Sequence, residues 1–180
     1  FLVISASCAG KQEKVKKIGS KSVYRITLSD SFSKVSSKPW TLAKIKALGT
    51  RRMPSSYFDR AMKYNGTEFE AISLVKLIDQ FQLKNGEDAI LLNCFDDYQG
   101  LLSLSDIHRY DLHLAIKIKV SLGSLKPDWL NPLLLLVPDG KNPPFEERFL
   151  TANIRELKFV RLNDYYMPLK KVADISDEAG

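Results

Sequence analysis

The sequence predicts an α+β fold in which β-structure dominates, with mixed sheets and two or three short helices. Short apolar or alternating runs recur along the chain and indicate about seven strands. Between them, a few stretches carry apolar residues at helical spacing. At 180 residues, with 44% hydrophobic and 27% charged residues, the chain has the composition of one globular domain, which excludes the disordered and collagen-like classes.

The first predicted elements are two strands on either side of a short helix. Residues 22–29 (SVYRITLS) alternate polar and apolar side chains, which is typical of a half-buried strand. Residues 36–40 contain serines and a proline and indicate a turn. Residues 41–48 carry apolar side chains at helical spacing behind the candidate cap Thr41, so we expect a helix. Residues 51–58 then predict a strand, which Pro54 makes either an edge strand or a broken one.

The middle of the chain predicts a helix followed by a buried strand. Apolar residues at helical period run from Phe69 to Phe81, after a turn at residues 64–66. Residues 89–95 are almost continuously apolar, as in a strand covered on both faces. Asp96 and Asp97 then indicate a turn.

The last part of the chain predicts four strands and one long loop. Residues 98–104 and 112–122 read as strands, the second with one apolar and one largely polar face, and Ser105 is a candidate cap for a helical turn between them. Residues 133–137 predict a buried strand and residues 154–162 a final one, separated by a surface loop that begins at Pro138.

The chain is basic, with a formal net charge of +6. This charge favours acidic partners, although solubility is the simpler explanation. Arg51, Arg52, Tyr57 and Arg60 form a basic and aromatic cluster, a candidate site for an anion or a partner. A solvated strand edge is the alternative interpretation of this cluster. We expect no nucleic-acid partner.

The first ten residues, FLVISASCAG, resemble the end of a bacterial lipoprotein signal, in which an apolar segment and small residues precede a cysteine. Ser5 stands where leucine is commonest, and an ordinary strand or signal peptide is the alternative. On the lipoprotein interpretation residues 1–7 are a residual signal peptide, Cys8 is lipidated and residues 8–21 form a flexible linker. The protein would then be exported and anchored on the periplasmic or cell-surface face of a membrane.

Other chemistries find little support in the sequence. If Cys8 is lipidated, Cys94 has no disulfide partner, and its apolar strand predicts a buried, inert thiol. His108 and His113 are five residues apart and share no face, so we expect solvated or capping histidines. No run of about 18 apolar residues occurs to span a membrane. Nucleophile-elbow, Walker, dinucleotide-binding and Cys-x-x-Cys motifs are also missing.

Five segments, in this order, resemble the oxidoreductase molybdopterin-binding domain, which has the sulfite oxidase-like fold. Residues 41–48 are similar to its "S-L-x-x-L-x-x-L" helix and residues 66–78 to its "G-V-P-L-R-D-L-L" element. The other matches are residues 89–98 to the strand ending in "D-G-Y", 133–138 to "P-L-R-L-V-V-P" and 154–162 to "V-K-W-L-R-R-I-E-V". The resemblance covers residues 22–162 and leaves residues 163–180 as a polar C-terminal tail.

The catalytic part of the resemblance is missing. Enzymes of this family hold molybdenum with one Cys thiolate, and Phe58 lies nearest to that position here. A phenyl ring cannot coordinate a metal, and Cys94 does not match the motif. The basic residues that hold the pterin phosphate in this family are also poorly matched in the closing segment. Arg155 and Lys158 are present there, but among different neighbouring residues. Both remain candidate residues for binding an anion or a partner.

The resemblance therefore implies a divergent, stand-alone member of the family that lacks the molybdenum-ligating cysteine. We predict a non-catalytic binding or assembly module in an exported, membrane-anchored bacterial redox complex, with no catalytic residues and no cofactor. Its partner would be a protein, for example a c-type cytochrome, contacted through the basic face and the 138–150 loop. The alternative is a small molybdopterin-dependent oxidoreductase with an atypical metal site.

Overall fold

The computed structural model describes residues 23–28, 36–83, 86–121, 125–127 and 129–165. The strands are β1 (Val23–Leu28), β2 (Ser36–Thr41), β3 (Arg51–Pro54), β4 (Glu68–Ser73), β5 (Ala89–Cys94), β6 (Gln99–Ser103), β7 (His113–Lys119), β8 (Leu134–Leu136) and β9 (Ile154–Val160). The helices are α1 (Leu42–Lys46), α2 (Ser56–Met62), α3 (Leu74–Ile78) and α4 (Leu104–Arg109), with a 3-10 helix at Glu147–Leu150. The predicted α+β class with dominant β-structure is confirmed, and these residues form more strands and helices than expected.

The strands form two sheets. One has five strands in the order β2-β1-β9-β5-β6, and the other has four in the order β3-β4-β7-β8. The five-stranded sheet is mixed, because β9 runs parallel to β1 and antiparallel to β5. The four-stranded sheet is antiparallel throughout. Strand β9 thus lies between β1 and β5, and it links the N-terminal hairpin of the described residues to the centre of the sheet.

The main hydrophobic core joins both sheets to the helices. It contains Leu92 of β5, Phe159 of β9 and Leu114 of β7, together with Ile45 of α1 and Leu77 of α3. Since neighbouring side chains of a strand point to opposite faces, the other face of the four-stranded sheet carries a second set. That smaller cluster consists of Met53, Phe58, Phe69, Ala71, Ala115, Leu130, Leu134 and Leu136.

Several predicted elements are confirmed. Strands occupy the predicted ranges 22–29, 89–95, 98–104, 112–122, 133–137 and 154–162. Helix α1 begins behind the predicted cap, because the Thr41 hydroxyl accepts a hydrogen bond from the Lys44 amide at 3.3 Å. The turn at Asp96 and Asp97 is also present, with a left-handed backbone at Asp97 (φ 64°).

One prediction in the first part of the chain is wrong, and one is confirmed only in part. Residues 36–40 belong to strand β2 rather than to a turn, and β2 tolerates Pro39 because it lies at the edge of its sheet. Residues 51–58 form a strand only as far as Pro54, since Ser55 then caps α2 by accepting a hydrogen bond from the Phe58 amide at 3.2 Å. The edge position of β3 is as predicted.

The helix predicted over 69–81 is mostly a strand and a short helix. Residues Glu68–Ser73 pair with β3 and β7 on both sides, and α3 begins only after Ser73, whose hydroxyl accepts from the Lys76 amide. Pairing on both edges outweighs the helical spacing of the apolar residues. The cap of α4 is Ser103 rather than Ser105, with the Asp106 amide 2.9 Å from the Ser103 hydroxyl.

Among the described residues, no helix is both long and apolar enough to cross a membrane. The predicted signal peptide (1–7), Cys8 and the linker (8–21) lie outside the described residues, as does the C-terminal tail beyond residue 165.

Candidate functional site

A cavity of about 240 Å³ opens where the β5–β6 turn, α2, residues 129–130 and the 3-10 helix meet. Its floor is apolar and consists of the buried or half-buried Phe58, Met62, Leu130, Leu150 and Ala152. Its rim consists of Asp96, Tyr98, Trp129 and Glu147, all exposed, and the buried Thr151. We refer to this cavity as the rim pocket.

The floor of the rim pocket is set by α2. The Ser55 cap starts this helix, and its hydroxyl also donates a hydrogen bond to the Val137 carbonyl at 2.6 Å. Phe58, in the first turn, is only 2% exposed. Its ring packs edge-on against Phe69, with 5.0 Å between ring centroids, and lies 6.1 Å from the ring of Tyr64. Aromatic packing therefore holds Phe58 in place. This is the residue that the family resemblance puts nearest to the position of the molybdenum-ligating cysteine.

The tight turn after β5 places two of the rim residues. Asp96 accepts a hydrogen bond from the Tyr98 amide at 3.4 Å through its side chain, which is a common way for aspartate to stabilise a turn. The left-handed backbone of Asp97 completes the reversal into β6. A carboxylate and a phenol ring therefore stand side by side on the rim.

The opposite side of the rim is set by the 3-10 helix. Arg148 holds this helix by pairing with Asp106 at 2.7 Å and with Glu146 at 2.5 Å. The Thr151 hydroxyl donates a hydrogen bond to the Arg148 carbonyl at 2.9 Å. Thr151 also packs against Gly100 of β6, where an added Cβ would lie less than 3.0 Å from the Thr151 hydroxyl oxygen. Only glycine leaves room for this contact.

The charged side chains that line the rim pocket are both negative. Its lining contains two carboxylates, Asp96 and Glu147, and no lysine, arginine or histidine. Within the described ranges neither carboxylate forms an ion pair. Burial raises the pKa of Tyr98, and the charge of Glu147 raises it further, against a hydrogen bond with Thr151 that lowers it. Behind the rim, burial and the charge of Asp96 raise the pKa of the Cys94 thiol to about 11.

The basic cluster predicted from the sequence is divided in the structure. Arg60 lies over the ring of Tyr57 at 5.5 Å. The Tyr57 hydroxyl donates to the Pro144 carbonyl at 2.9 Å, and burial raises its pKa. Arg51 instead lies 4.0 Å from Asp111, and Arg52 lines a separate concavity of about 380 Å³ against β3 and β4. The cluster thus contributes to two different surfaces.

The two basic residues of β9 also lie outside the lining of the rim pocket. Arg155 is exposed and lies 3.9 Å from Asp97, just beyond the rim. Lys158 is half-buried and stands opposite Leu91 of β5 in the sheet.

The histidines differ from the sequence prediction in one respect. His108 is exposed on α4, whereas His113 is 3% exposed on β7, so the expectation of a solvated or capping histidine is wrong for His113. Its Nδ1 lies 2.6 Å from the Asp111 carbonyl oxygen, and burial lowers its pKa. Cys94 is the buried free thiol that its apolar strand predicts. Across the part of the chain that the structure describes, no three His, Cys, Asp or Glu residues form a metal-binding group.

Sequence reasoning missed Trp129, and it included Glu147 only as an unnamed member of the predicted partner-binding loop 138–150. Trp129 lies between regular elements and Glu147 begins the short 3-10 helix, so no periodic pattern marks either residue. The residue type alone could have marked Trp129 as a candidate binding residue. A tryptophan in a polar, proline-containing segment has no strand or helix face on which to be buried.

No protein-family profile and no curated protein matches the chain. Among solved structures 12 chains match, including the sulfane dehydrogenase SoxCD from Paracoccus pantotrophus. The match to SoxCD has 13% sequence identity and a TM-score of 0.46, and it covers 79% of this chain. This chain spans 40% of the SoxCD chain. The likeness is at most one of general fold, and it leaves the family open.

The residues of the rim pocket do not fit the molybdopterin that the family resemblance implies. The lining offers no thiolate for the metal, since Cys94 is buried behind it and Phe58 forms part of the floor. The lining contains two carboxylates and no basic residue that could balance the charge of an anionic phosphate. The volume of 240 Å³ is also below the roughly 300 Å³ at which sites for such ligands begin.

Proposed function

We propose that this chain is a non-catalytic binding module that contacts a protein partner through the rim pocket and the neighbouring 138–150 loop. The observation that carries this proposal is the exposed aromatic rim above an apolar floor. Trp129 is 48% exposed and Tyr98 is 38% exposed, although both are large side chains that soluble proteins tend to bury in part. Tryptophan and tyrosine at the mouth of an apolar pocket are typical of the residues that dominate binding energy at protein interfaces.

The 138–150 loop supports the same interpretation, because it presents a second aromatic group on a fixed backbone. Phe145 is 58% exposed, and the Arg60 guanidinium lies 4.9 Å from its ring centroid. The loop is attached to α2 at two points: Asp139 accepts a hydrogen bond from the Ser56 amide at 2.6 Å, and the Pro144 carbonyl accepts one from Tyr57. A surface that is already ordered loses little entropy on binding.

The setting that we propose is an exported, membrane-anchored redox complex with a partner such as a c-type cytochrome. Support comes from the sequence: the lipoprotein-like segment before Cys8, the resemblance of residues 22–162 to a redox-enzyme domain, and a net charge of +6 that favours an acidic partner. The anchor has its own test. Cys8→Ser should move the protein from the membrane fraction to the soluble fraction, and unchanged fractionation would contradict lipidation.

The binding role is tested by purifying the tagged protein with its partner from detergent-solubilised membranes of the native host. Trp129→Ala and Phe145→Ala should each reduce recovery of the same co-purifying protein. Lys119→Ala, which removes an exposed side chain from the four-stranded sheet, is the matched control and should leave recovery unchanged. Equal recovery with all three variants would contradict the proposed surface.

Metal analysis of the same preparations addresses catalysis separately. We expect no molybdenum bound to the purified protein. One molybdenum per chain, with pterin fluorescence after denaturation, would overturn the non-catalytic role and favour the alternative, a small oxidoreductase with an atypical metal site.

A further inference from the structure

We infer that the rim pocket takes the cationic side chain of a lysine or arginine that projects from the partner protein. The inference rests on the proposed binding function and specifies the chemistry that the partner must present. Three independent features of the pocket support it: its charge, its exposed aromatic rings and its size.

The charge of the pocket is opposite to that of the whole protein. The chain carries a formal net charge of +6, yet the pocket lining contains only negative charges, on Asp96 and Glu147. Two arginines beside the rim pair with other carboxylates: Arg155 with Asp97, and Arg148 with Asp106 and Glu146. Asp96 and Glu147 therefore keep their charges available to an incoming cation.

The exposed rings of Trp129 and Tyr98 add a second attraction for a cation. The face of an aromatic ring attracts a positive charge within about 6 Å of its centroid, and tryptophan does so most strongly. The same protein already contains this arrangement with its own arginines. Arg60 lies 4.9 Å from the ring of Phe145 and 5.5 Å from that of Tyr57, and Arg148 lies 4.5 Å from that of Phe149.

The size and floor of the pocket fit a single long side chain. A volume of 240 Å³ is small for a cofactor, and the floor is apolar down to Phe58 and Leu130. Lysine and arginine carry an apolar stem behind a charged head, so the stem can cover apolar surface while the head stays near the solvent. Both carboxylates lie at the exposed rim with Trp129, where the charged head would be, and the apolar floor lies where the stem would be.

The test follows the fluorescence of Trp129 during titration with Nα-acetyl-lysine methylamide. The norleucine analogue, which lacks the charge at nearly the same shape, is the matched ligand. We expect a saturable change with the lysine compound, absent in Trp129→Phe. Asp96→Asn combined with Glu147→Gln should weaken binding about three- to tenfold, as for partly exposed ion pairs. Glu68→Gln combined with Glu70→Gln changes the net charge equally at a distant concavity and should leave binding unchanged.

Partner capture separates this inference from the proposed function. If both the Trp129→Ala variant and the Asp96→Asn, Glu147→Gln variant lose the partner, the cationic side chain is supported. If Trp129→Ala loses the partner while the variant without carboxylates keeps it fully, the binding function stands and the inference is overturned. Equal affinity for the lysine and norleucine compounds would also overturn it.

Discussion

Replacing Gly100 with alanine tests the contact that shapes one wall of the rim pocket. The added Cβ would lie less than 3.0 Å from the Thr151 hydroxyl oxygen and 3.3 Å from both the Cβ and the Cγ2 of Thr151. Thr151 is buried, and its hydroxyl donates to the Arg148 carbonyl, so it cannot rotate away without losing that hydrogen bond. We expect Gly100→Ala to destabilise the protein and to distort the pocket.

Two opposing effects determine the size of the loss. Overpacking of a filled interior costs about 1 to 3 kcal/mol. Alanine also has less conformational freedom than glycine in the unfolded chain, and this stabilises the folded state by about 0.5 to 1 kcal/mol in a strand. Because the added Cβ would lie well within 3.0 Å of the Thr151 oxygen, the overpacking cost should be in the upper part of its range, about 2 to 3 kcal/mol, and the net destabilisation about 1 to 2 kcal/mol. For a chain of this length such a loss lowers the midpoint of thermal unfolding by roughly 2 to 8 °C.

The assay is urea unfolding of four proteins: the parent, Gly100→Ala, Thr151→Ala and the double variant. Thr151→Ala alone loses a buried hydrogen bond and should cost about 0.5 to 1.5 kcal/mol. In the double variant the clashing oxygen and methyl group are gone, so introducing Gly100→Ala into the Thr151→Ala protein should cost little or nothing. The coupling energy between the two sites should then be about 1 to 3 kcal/mol.

The hydroxyl-retaining variant Thr151→Ser is the control for this rescue. It keeps the oxygen that lies closest to the added Cβ, so Gly100→Ala should remain destabilising in that background. The reasoning would be refuted if Gly100→Ala were neutral or stabilising in the parent protein. Equal costs in the Thr151→Ala and Thr151→Ser backgrounds would refute it as well.

Two further predictions concern buried groups with shifted pKa values. Since burial raises the pKa of the Cys94 thiol from 9.0 to about 11, the unfolded state loses its proton first, and the free energy of unfolding should fall by on the order of 2 to 3 kcal/mol between pH 9 and 11. Unfolding of Cys94→Ala should lack this part of the alkaline decline, and an identical decline would contradict the buried thiol. Burial and the nearby Arg51 lower the pKa of His113 from 6.5. The unfolded state therefore binds a proton first, and the free energy of unfolding should fall as the pH falls below 6.5. The decrease in the free energy of unfolding at acid pH should be smaller in His113→Leu than in the parent, and His108→Gln should behave like the parent. A smaller decrease in His108→Gln than in His113→Leu would contradict the role given to His113.

Local patterns predicted the elements in which one signal dominates. The nearly continuous apolar run of residues 89–95 predicts a strand covered on both faces, and β5 is the buried strand between β9 and β6. The Thr41 cap likewise marks the start of α1. The pattern misleads over Glu68–Ser73, where apolar spacing fits a helix. Hydrogen bonding to β3 and β7, which are distant in sequence, decides this case.

The residues of the candidate site were harder to predict from the sequence than the strands and helices, because tertiary structure brings them together. Phe58 was singled out because a family resemblance places it near a metal ligand, and the structure does place it in a pocket. The chemistry of that pocket comes from Trp129, Tyr98 and Glu147, which reach it from other parts of the chain. A loop residue carries no periodicity, so its neighbours in space follow only from the way the strands pair.

The sequence by itself determined the α+β class, most of the strands, the burial of Cys94 and the absence of a thiolate at Phe58. These properties depend on side-chain type and on spacing along a few residues, which local physical chemistry constrains. Tertiary structure alone decided that β9 lies between β1 and β5, that Gly100 makes room for Thr151, and that a basic protein presents a negative aromatic pocket. Those features arise from contacts between residues far apart in the chain, and the folded arrangement of the two sheets creates them.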